Sequence, residues 1–331
     1  MASPRPSPRP SRARRPAPPG APLAGSVLDL IGRTPLVELR RLAPSPEIRL
    51  FAKLEGQNPT GSLKDRIALA MIEAGEASGV LTPDKTILEP TSGNTGISLA
   101  LVGRLKGYRV TAVMPENVSP ERQRLLAAFG AEVILTEGAR GTNGAIEVAQ
   151  RLAKDPRYFM PFQYGNPANP RAHYEGTARE LLEALPEIGC FVAGLGTGGT
   201  LMGVGRRLKE AGPRTLVIAV EPEPGEQVQG LRSLEEGFVP PILDLALLDG
   251  KVLVKGLDAL AATRLLLQRE GIFAGLSSGA VLHAALREAR RLRRGTVVAL
   301  LADGGWKYLS AGFWTGPLAA AREELAAKLW W

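Results

Sequence analysis

A glycine-rich loop with the sequence GLGTGGT, residues 194–200, follows an apolar stretch typical of a buried strand and precedes a helical pattern. Glycines let a backbone approach an anion closely, and the beginning of a helix offers unpaired N–H groups and a favourable dipole. The loop therefore predicts a phosphate-binding site. It also fits the pattern G-x-G-x-x-G, with Glu221 near the spacing of a ribose-binding acid, so a dinucleotide-dependent oxidoreductase is an alternative. A glycine-rich turn that binds nothing would have the same sequence.

A lysine follows a turn in the sequence NPTGSLKDR, residues 58–66. Most lysines are solvated surface charges. However, Lys64 lies just after a Gly-Ser pair and beside Asp65 and Arg66. A lysine held in a cleft near cations or apolar groups has a lowered pKa and can form a Schiff base. A phosphate loop and a Schiff-base lysine together indicate pyridoxal phosphate.

Two more loops connect a strand pattern to a helix pattern. TSGNTG, residues 91–96, offers hydroxyl, amide and helix N–H groups, which suits a carboxylate or an ordinary capped turn. GLSSG, residues 275–279, fits the nucleophile elbow of hydrolases around Ser277. The hydrolase interpretation fails because the one histidine after Ser277 is His283, six residues later in the same predicted helix. Ser277 is therefore interpreted as a hydroxyl at a strand-to-helix turn, either binding a ligand or capping the helix.

Short apolar stretches typical of strands alternate with stretches of helical spacing along the chain. We predict strands at residues 36–39, 48–54, 86–89, 109–114, 132–136 and 159–163, and in a second series at 191–195, 216–221, 252–254 and 297–302. Helices are predicted at residues 62–78, 96–105, 120–129, 144–152, 178–185, 201–211, 257–270 and 280–293. The alternation predicts an α/β fold of two open, mostly parallel, twisted sheets flanked by helices. Since ligands in such folds bind at the carboxyl ends of strands, we expect the four loops to meet in a cleft between two domains.

The composition excludes several classes of protein. The chain has 331 residues, 44% hydrophobic and 22% charged, which suits a globular protein of about two domains. A single cysteine, Cys190, and two histidines, His173 and His283, exclude an internal disulfide and a Cys/His zinc cluster, and we expect no metal. Cys190 and His173 are interpreted as structural. The apolar stretches are too short for a membrane span or a signal peptide, so we expect a cytoplasmic protein.

The net charge of +8 is unevenly distributed. Residues 1–20 contain five arginines, seven prolines and no acid, and the rest of the chain has 36 basic and 33 acidic residues. Such a tail cannot bury apolar area, and we interpret residues 1–22 as a disordered, passive tail rather than a nucleic-acid arm, a membrane-surface arm or a transit peptide. We expect neither nucleic acid nor membrane as a partner.

The motifs NPTGSLKDR, EPTSGNTG, GLGTGGT and GLSSG occur here in an order that resembles the cysteine synthase family. This family belongs to the pyridoxal-phosphate enzymes with the tryptophan-synthase-type fold. MPEN at 114–117, FQYGNP at 162–167 and EGT at 175–177 extend the resemblance, which covers residues 31–305. It implies pyridoxal 5'-phosphate as cofactor and a β-replacement reaction on an O-activated serine.

The resemblance also implies a role for each matching residue. Lys64 would hold the cofactor and act as general base, Asn94 would bind its ring hydroxyl, and Ser277 would face its ring nitrogen. Gly196, Thr197, Gly198, Gly199 and Thr200 would bind its phosphate. Thr91, Ser92, Thr95 and Gln163 would bind the substrate carboxylate.

The resemblance implies domain limits as well. A larger domain, residues 23–57 and 165–320, would bind the cofactor phosphate. A smaller, mobile domain, residues 58–164, would carry the lysine and the substrate loop. The C-terminal segment, residues 321–331, ends in Trp330 and Trp331, which would enter the cleft or pack on the body of the protein.

The stretch EPEPGE at 221–226, with ADGGWKYLS at 302–310, is most similar to an actinobacterial branch of the family that uses O-phosphoserine. There an arginine at the position of Arg232 pairs with the substrate phosphate, although an ion pair with Glu235 or Glu236 is an alternative. The branch implies a thiocarboxylated carrier protein as sulfur donor, or sulfide, and a homodimer. The alternatives are an O-acetylserine sulfhydrylase, a cystathionine β-synthase and a non-enzymatic paralogue.

Overall fold

Two sheets form the centre of the part of the chain that the computed structural model describes, residues 23–91, 93–309, 311–318 and 321. The predicted tail 1–22, Ser92, Trp330 and Trp331 lie outside the described residues. The strands are β1 (Leu36–Glu38), β2 (Ile48–Leu54), β3 (Thr86–Pro90), β4 (Arg109–Pro115), β5 (Glu132–Thr136), β6 (Tyr158–Phe159), β7 (Cys190–Gly194), β8 (Leu216–Pro222), β9 (Gly250–Val254) and β10 (Gly295–Leu301).

Both sheets are mostly parallel. The first sheet has the order β1-β2-β10-β7-β8-β9, and β1 pairs antiparallel with β2 while the other pairs are parallel. The second sheet has the order β5-β4-β3-β6 and is parallel throughout. The chain thus leaves the first sheet after β2, builds the second sheet and then returns.

Helices connect and cover the strands: α1 (Lys64–Ala77), α2 (Asn94–Lys106), α3 (Pro120–Ala128), α4 (Gly141–Leu152), α5 (Ala168–Ala172), α6 (Ala178–Ala184), α7 (Gly199–Ala211), α8 (Gly256–Glu270) and α9 (Leu276–Leu292). Neighbouring residues of β10 show that both faces of the first sheet are buried. Val297 packs in a core with residues of α8 and α9, whereas Val298 packs in another with residues of α6 and α7. This burial explains the continuous apolar strands, and the predicted α/β fold with two mostly parallel sheets is confirmed.

One predicted element is much shorter than expected. The strand predicted at residues 159–163 is confined to Tyr158–Phe159. Phe162 has a left-handed φ of 53°, and the N–H groups of Phe162 and Gln163 are bonded to the carboxylate of Glu89. Since those N–H groups are not available to a neighbouring strand, the apolar pattern there continues into a loop.

No helix within the described ranges is long and apolar enough to cross a membrane.

Candidate active site

A cavity of about 330 Å³ lies where strands of both sheets end. Its wall includes Thr91 after β3, Gly196 after β7, Pro222 at the end of β8 and Asp303 after β10. The sequence-predicted residues that line it are Lys64, Thr91, Asn94, Thr95, Gln163, Gly196, Thr197, Gly198, Thr200, Arg232 and Ser277. Gly199 is the first residue of α7, directly beside them. The fold therefore brings the four loops together.

Lys64 is the first residue of α1, and hydrogen bonds to Asp65 connect the preceding turn and α2 to this helix start. The backbone N–H of Thr60 donates to Asp65 over 2.7 Å, and the Ser98 hydroxyl on α2 donates to the same carboxylate over 2.6 Å. Burial lowers the pKa of Lys64 to about 8, although the charges of Asp303 and Glu89 act in the opposite direction. A substantial fraction of this amine is therefore neutral, and nucleophilic, near pH 8.

The loop before α7 packs so closely that side chains would not fit. Gly198 has a φ of +88°, and a Cβ at Gly199 would overlap Oδ1 of Asn169. The Nδ2 atom of Asn169 donates to Thr197 Oγ1 over 3.0 Å, which fixes one hydroxyl of the loop. With its hydroxyls and the first N–H groups of α7, this loop is a cradle for a phosphate.

His173 lies behind the cradle. Its Nε2 is 3.3 Å from Thr200 Oγ1 and its Nδ1 is 3.0 Å from Thr177 Oγ1. It begins a π-helical turn, His173–Thr177, and is fully buried. Burial, reinforced by the charges of Arg66 and Lys64, lowers its pKa well below the ordinary value. The imidazole is therefore neutral and positions Thr200, which agrees with the structural role expected from the sequence.

Asn94 joins a polar cluster at the other end of the cavity. Its Nδ2 donates to Asp303 Oδ2 over 2.8 Å, and its Oδ1 accepts from Lys307 Nζ over 2.7 Å. The Tyr308 hydroxyl also donates to Asp303 Oδ2. Sequence reasoning did not single out Asp303, Lys307 or Tyr308, and the signal for them was the stretch ADGGWKYLS.

The loop that begins α2 is joined to the loop after β6. Thr91 Oγ1 accepts from the N–H groups of Gly93 and Gly96 over 3.1 and 3.2 Å. The Thr95 hydroxyl donates to Gln163 Oε1 over 2.6 Å. Because Thr91, Thr95 and Gln163 are buried at the cavity, they form a polar wall with fixed geometry. Ser92, the fourth residue predicted for this wall, lies outside the described residues.

Glu89, at the end of β3, is a residue that sequence reasoning missed. Its fully buried carboxylate accepts from the backbone N–H groups of Phe162 and Gln163 over 2.8 and 2.9 Å. Burial raises the pKa of Glu89 to about 8, while both N–H donors act against this rise. The carboxylate fixes the backbone that carries Gln163. The only sequence signal for it was the glutamate of EPTSGNTG.

Arg232 and Ser277 complete the wall. Ser277 lies in the first turn of α9 and is buried. Arg232 is 7% exposed, its Nη1 donates to Asn143 Oδ1 over 3.1 Å, and its guanidinium lies 5.4 and 5.0 Å from the rings of Tyr164 and Phe238. Within the described residues Arg232 forms no ion pair with Glu235, and the side chain of Glu236 lies outside them. A buried cation here faces a neutral amide and the cavity.

Comparison with known proteins decides which phosphate compound such a cavity takes. Residues 27–303 match the family described as pyridoxal-phosphate dependent enzyme. The chain belongs to this family. Pyridoxal 5'-phosphate is thereby confirmed as the cofactor, and the dinucleotide alternative is wrong. The donor set fits the cofactor, because a glycine cradle, an amine with a lowered pKa, an amide and a hydroxyl surround one cavity.

Individual relatives show which members of this family the chain resembles. A cysteine synthase of Staphylococcus aureus is 45% identical over 295 residues, which are 86% of this chain and 95% of that protein. The crystal structure of O-ureido-L-serine synthase is 41% identical, with a TM-score of 0.84, covering 89% of this chain and 96% of that one. The crystal structure of cysteine synthase from Entamoeba histolytica is 36% identical, with a TM-score of 0.85, covering 96% and 99%. The chain is therefore a pyridoxal-phosphate-dependent enzyme of the cysteine synthase family.

Proposed function

We propose that the protein is a cysteine synthase, which replaces the β-substituent of an O-activated L-serine by sulfur and releases L-cysteine. The observation that carries the proposal is that one cavity gathers an amine, a phosphate cradle and a polar wall of hydroxyl and amide groups. The similarity to two cysteine synthases supports the same reaction.

In this proposal Lys64 would hold the cofactor covalently. Asn94 would bond its ring oxygen, Ser277 would face its ring nitrogen, and its phosphate would be bound by Gly196, Thr197, Gly198, Gly199 and Thr200. The bound cofactor supplies an electron sink for the bond broken at the substrate's α-carbon. The neutral hydroxyl of Ser277 does not keep the ring nitrogen protonated, which favours β-elimination over transamination.

Lys64 moves the proton in the same proposal. With cofactor and substrate bound, Lys64 would accept the α-proton of the substrate and later return it. Its pKa of about 8 in the cavity suits this role, since a general base works best when its pKa lies near the working pH. Thr91, Ser92, Thr95 and Gln163 hold the substrate carboxylate and so aim the α-proton at Lys64.

We propose O-phosphoserine, rather than O-acetylserine, as the preferred substrate. Arg232 and Arg122 both line the cavity and are buried, so two cationic side chains border the space that the substrate would enter. The planar fork of an arginine donates two parallel hydrogen bonds to a phosphate, and the neutral amide of Asn143 is a partner that a phosphate displaces at low cost.

The test compares kcat/KM for O-phosphoserine and O-acetylserine, with sulfide, in the wild type, Arg232→Gln and Arg140→Gln. Arg140 also lines the cavity but is exposed and paired with Glu147, so it controls for general attraction of anions. We expect the wild type to prefer O-phosphoserine and Arg232→Gln to lose about 10- to 100-fold on that substrate alone. A wild type that prefers O-acetylserine, or an Arg232→Gln variant that slows both substrates equally, contradicts the substrate proposal.

The sulfur donor is proposed to be a small thiocarboxylated carrier protein, with sulfide as the alternative, and the enzyme is proposed to act as a homodimer. Rates with each donor at equal concentration separate the two sources of sulfur. Sedimentation velocity of the purified enzyme measures the oligomeric state, and a single species with the mass of one chain contradicts the dimer.

A further inference from the structure

A second buried lysine, Lys307, contacts the cavity residue Asn94, and the proposed reaction does not use it. Lys307 belongs to a short 3-10 turn, Gly305–Tyr308, that follows β10, and it is 8% exposed. Its Cε lies against Gly61, in the turn that leads to Lys64. A lysine is rarely buried to this degree unless its charge has a partner.

The partner of Lys307 is the amide of Asn94. An ammonium group can only donate hydrogen bonds and a carboxylate can only accept them. The contacts of Asn94 with Lys307 Nζ, at 2.7 Å, and with Asp303 Oδ2, at 2.8 Å, therefore fix which end of the amide is oxygen and which is nitrogen. The amide oxygen is occupied by Lys307. The group that Asn94 has left for the cavity is its second N–H, a donor.

Asn94 is bonded to one negatively charged and one positively charged side chain, Asp303 and Lys307. Asp303 is buried, accepts from Asn94 and Tyr308 through one oxygen, and would disfavour a second negative charge nearby. Lys307 brings a positive charge to the same amide. The charged groups that face Lys307 are Asp303, Arg122 and Asp65. Burial lowers the pKa of Lys307 to about 8, with Asp303 acting against this, so the side chain is mostly charged at neutral pH.

We propose that Lys307 is a positioning residue that makes Asn94 a pure donor and keeps the ring oxygen of the bound cofactor in its anionic form. The inference rests on the proposed function only in taking Asn94 as the partner of that oxygen. Lys307 provides a positive charge that offsets the negative charge of Asp303. The N–H of Asn94 donates a hydrogen bond, which stabilises an anionic ring oxygen more than a neutral hydroxyl.

The experiment measures the absorption spectrum of the purified holoenzyme at neutral pH, because the anionic and neutral forms of the ring oxygen absorb in the visible and the near ultraviolet, respectively. The variants are Lys307→Met, Lys307→Arg, Lys307→Gln and, as a control, Lys154→Met, whose lysine is exposed. We expect Lys307→Met to lower the ratio of visible to near-ultraviolet absorption by about tenfold, the effect of one charge-assisted hydrogen bond. Lys307→Arg keeps the charge and should stay within about twofold of the wild type.

Lys307→Gln can keep a hydrogen bond to Asn94 without the charge, and it fills a similar volume if Lys307→Met does not take up the cofactor. We expect it to lose visible absorption as well. An unchanged ratio in Lys307→Gln, or in a cofactor-loaded Lys307→Met, overturns the inference. A wild type with neither absorption band contradicts the proposed function instead, so the two failures are distinguishable.

Discussion

Lys64 carries the reactive nitrogen of the proposed site, and its surroundings set the pH at which this nitrogen is neutral. Burial holds its pKa near 8, below the ordinary 10.5 of a lysine amine. The hydrogen bonds of Asp65 with Thr60 and Ser98 hold the start of α1 in place, so the backbone that carries Lys64 is fixed at the edge of the cavity. At the scale of one residue, reactivity here is a property of the environment as much as of the side chain.

We expect the apo-protein to take up pyridoxal phosphate with a rate that rises with pH and levels off above about pH 8. Only the neutral amine attacks the aldehyde, and its fraction grows about tenfold per pH unit below the pKa. Appearance of visible absorption after mixing measures the rate, and Lys64→Ala should show none. Nα-acetyl-lysine is the control, because its ordinary amine should still gain rate above pH 9. A rate that rises equally for both amines contradicts the lowered pKa.

The sequence indicated Lys64 because a turn, a glycine-rich loop and a lysine in one chain suggest a chemistry. Glu89, Asp303 and Lys307 lie in motifs that match the family, but nothing in those motifs indicates what each side chain contacts. The bond between Lys307 and Asn94 joins residues 213 positions apart, and Glu89 acts on a loop 73 positions away. Their roles depend on which buried groups meet across the fold, and composition and spacing do not contain this information.

At the scale of elements, the beginning of α7 is placed by close packing against α5. A Cβ at Gly199 would overlap Asn169, and one at Gly203 would overlap the carbonyl oxygen of Pro170. Helical spacing predicted α7 correctly to within a few residues. The same reasoning overextended β6, since an alternation of apolar residues does not reveal that Glu89 binds the backbone of Phe162 and Gln163.

We expect Gly199→Ala to weaken cofactor binding strongly. The added carbon must displace Asn169, which holds Thr197 in the phosphate cradle, and overpacking of this kind costs about 1–3 kcal/mol. The measurement is the Kd of pyridoxal phosphate by fluorescence titration of the apo-protein, together with the free energy of unfolding. Gly250→Ala in β9 is the matched control, because a Cβ there meets Ile218 at an ordinary 3.4 Å. Equal Kd values for the two variants would contradict the role of the cradle.

At the scale of the whole molecule, one buried ion cluster joins segments that are far apart in the chain. Arg66 on α1 bonds Glu55 over 2.7 Å and Glu180 on α6 over 2.7 Å, and Glu180 also bonds Lys53 on β2 over 2.5 Å. Burial alone would raise the pKa of Glu180, but Arg66 and Lys53 outweigh it and hold this pKa at about 2. The cluster therefore ties the helix that carries Lys64 to the first sheet by charge.

We expect this ion cluster to stop stabilising the folded protein at low pH. Because the pKa of Glu180 is about 2 in the folded protein and about 4.5 in the unfolded chain, its stabilisation is complete above about pH 4.5 and is lost as the pH falls towards 2. Urea unfolding across this range measures it. Glu180→Gln should have a lower free energy of unfolding at neutral pH and a weaker dependence on pH than the wild type. Glu183→Gln, an exposed neighbour on the same helix, should follow the wild type, and a Glu180→Gln variant with the wild-type pH dependence refutes the assignment.

The large-scale architecture was the most predictable level. Alternating apolar and helical stretches predicted every strand except β6 to within about two residues, because burial of both sheet faces leaves a strong pattern in each segment. The strand order was not predictable in the same way. Nothing local in Ile48–Leu54 indicates that its parallel partner is Gly295–Leu301.

The pairing of β2 with β10 has a consequence for folding during synthesis. β2 leaves the ribosome early, whereas β10, which pairs with it along its whole length, is among the last strands to be synthesised. The second sheet lies entirely between them and has all its strands available much sooner, so we expect it to fold first, while β2 waits with its apolar side chains unburied. The last wall of the cavity, at Asp303, arrives directly after β10. We therefore expect the chain to have no complete cavity, and no capacity to bind the cofactor, until β10 and Asp303 have left the ribosome.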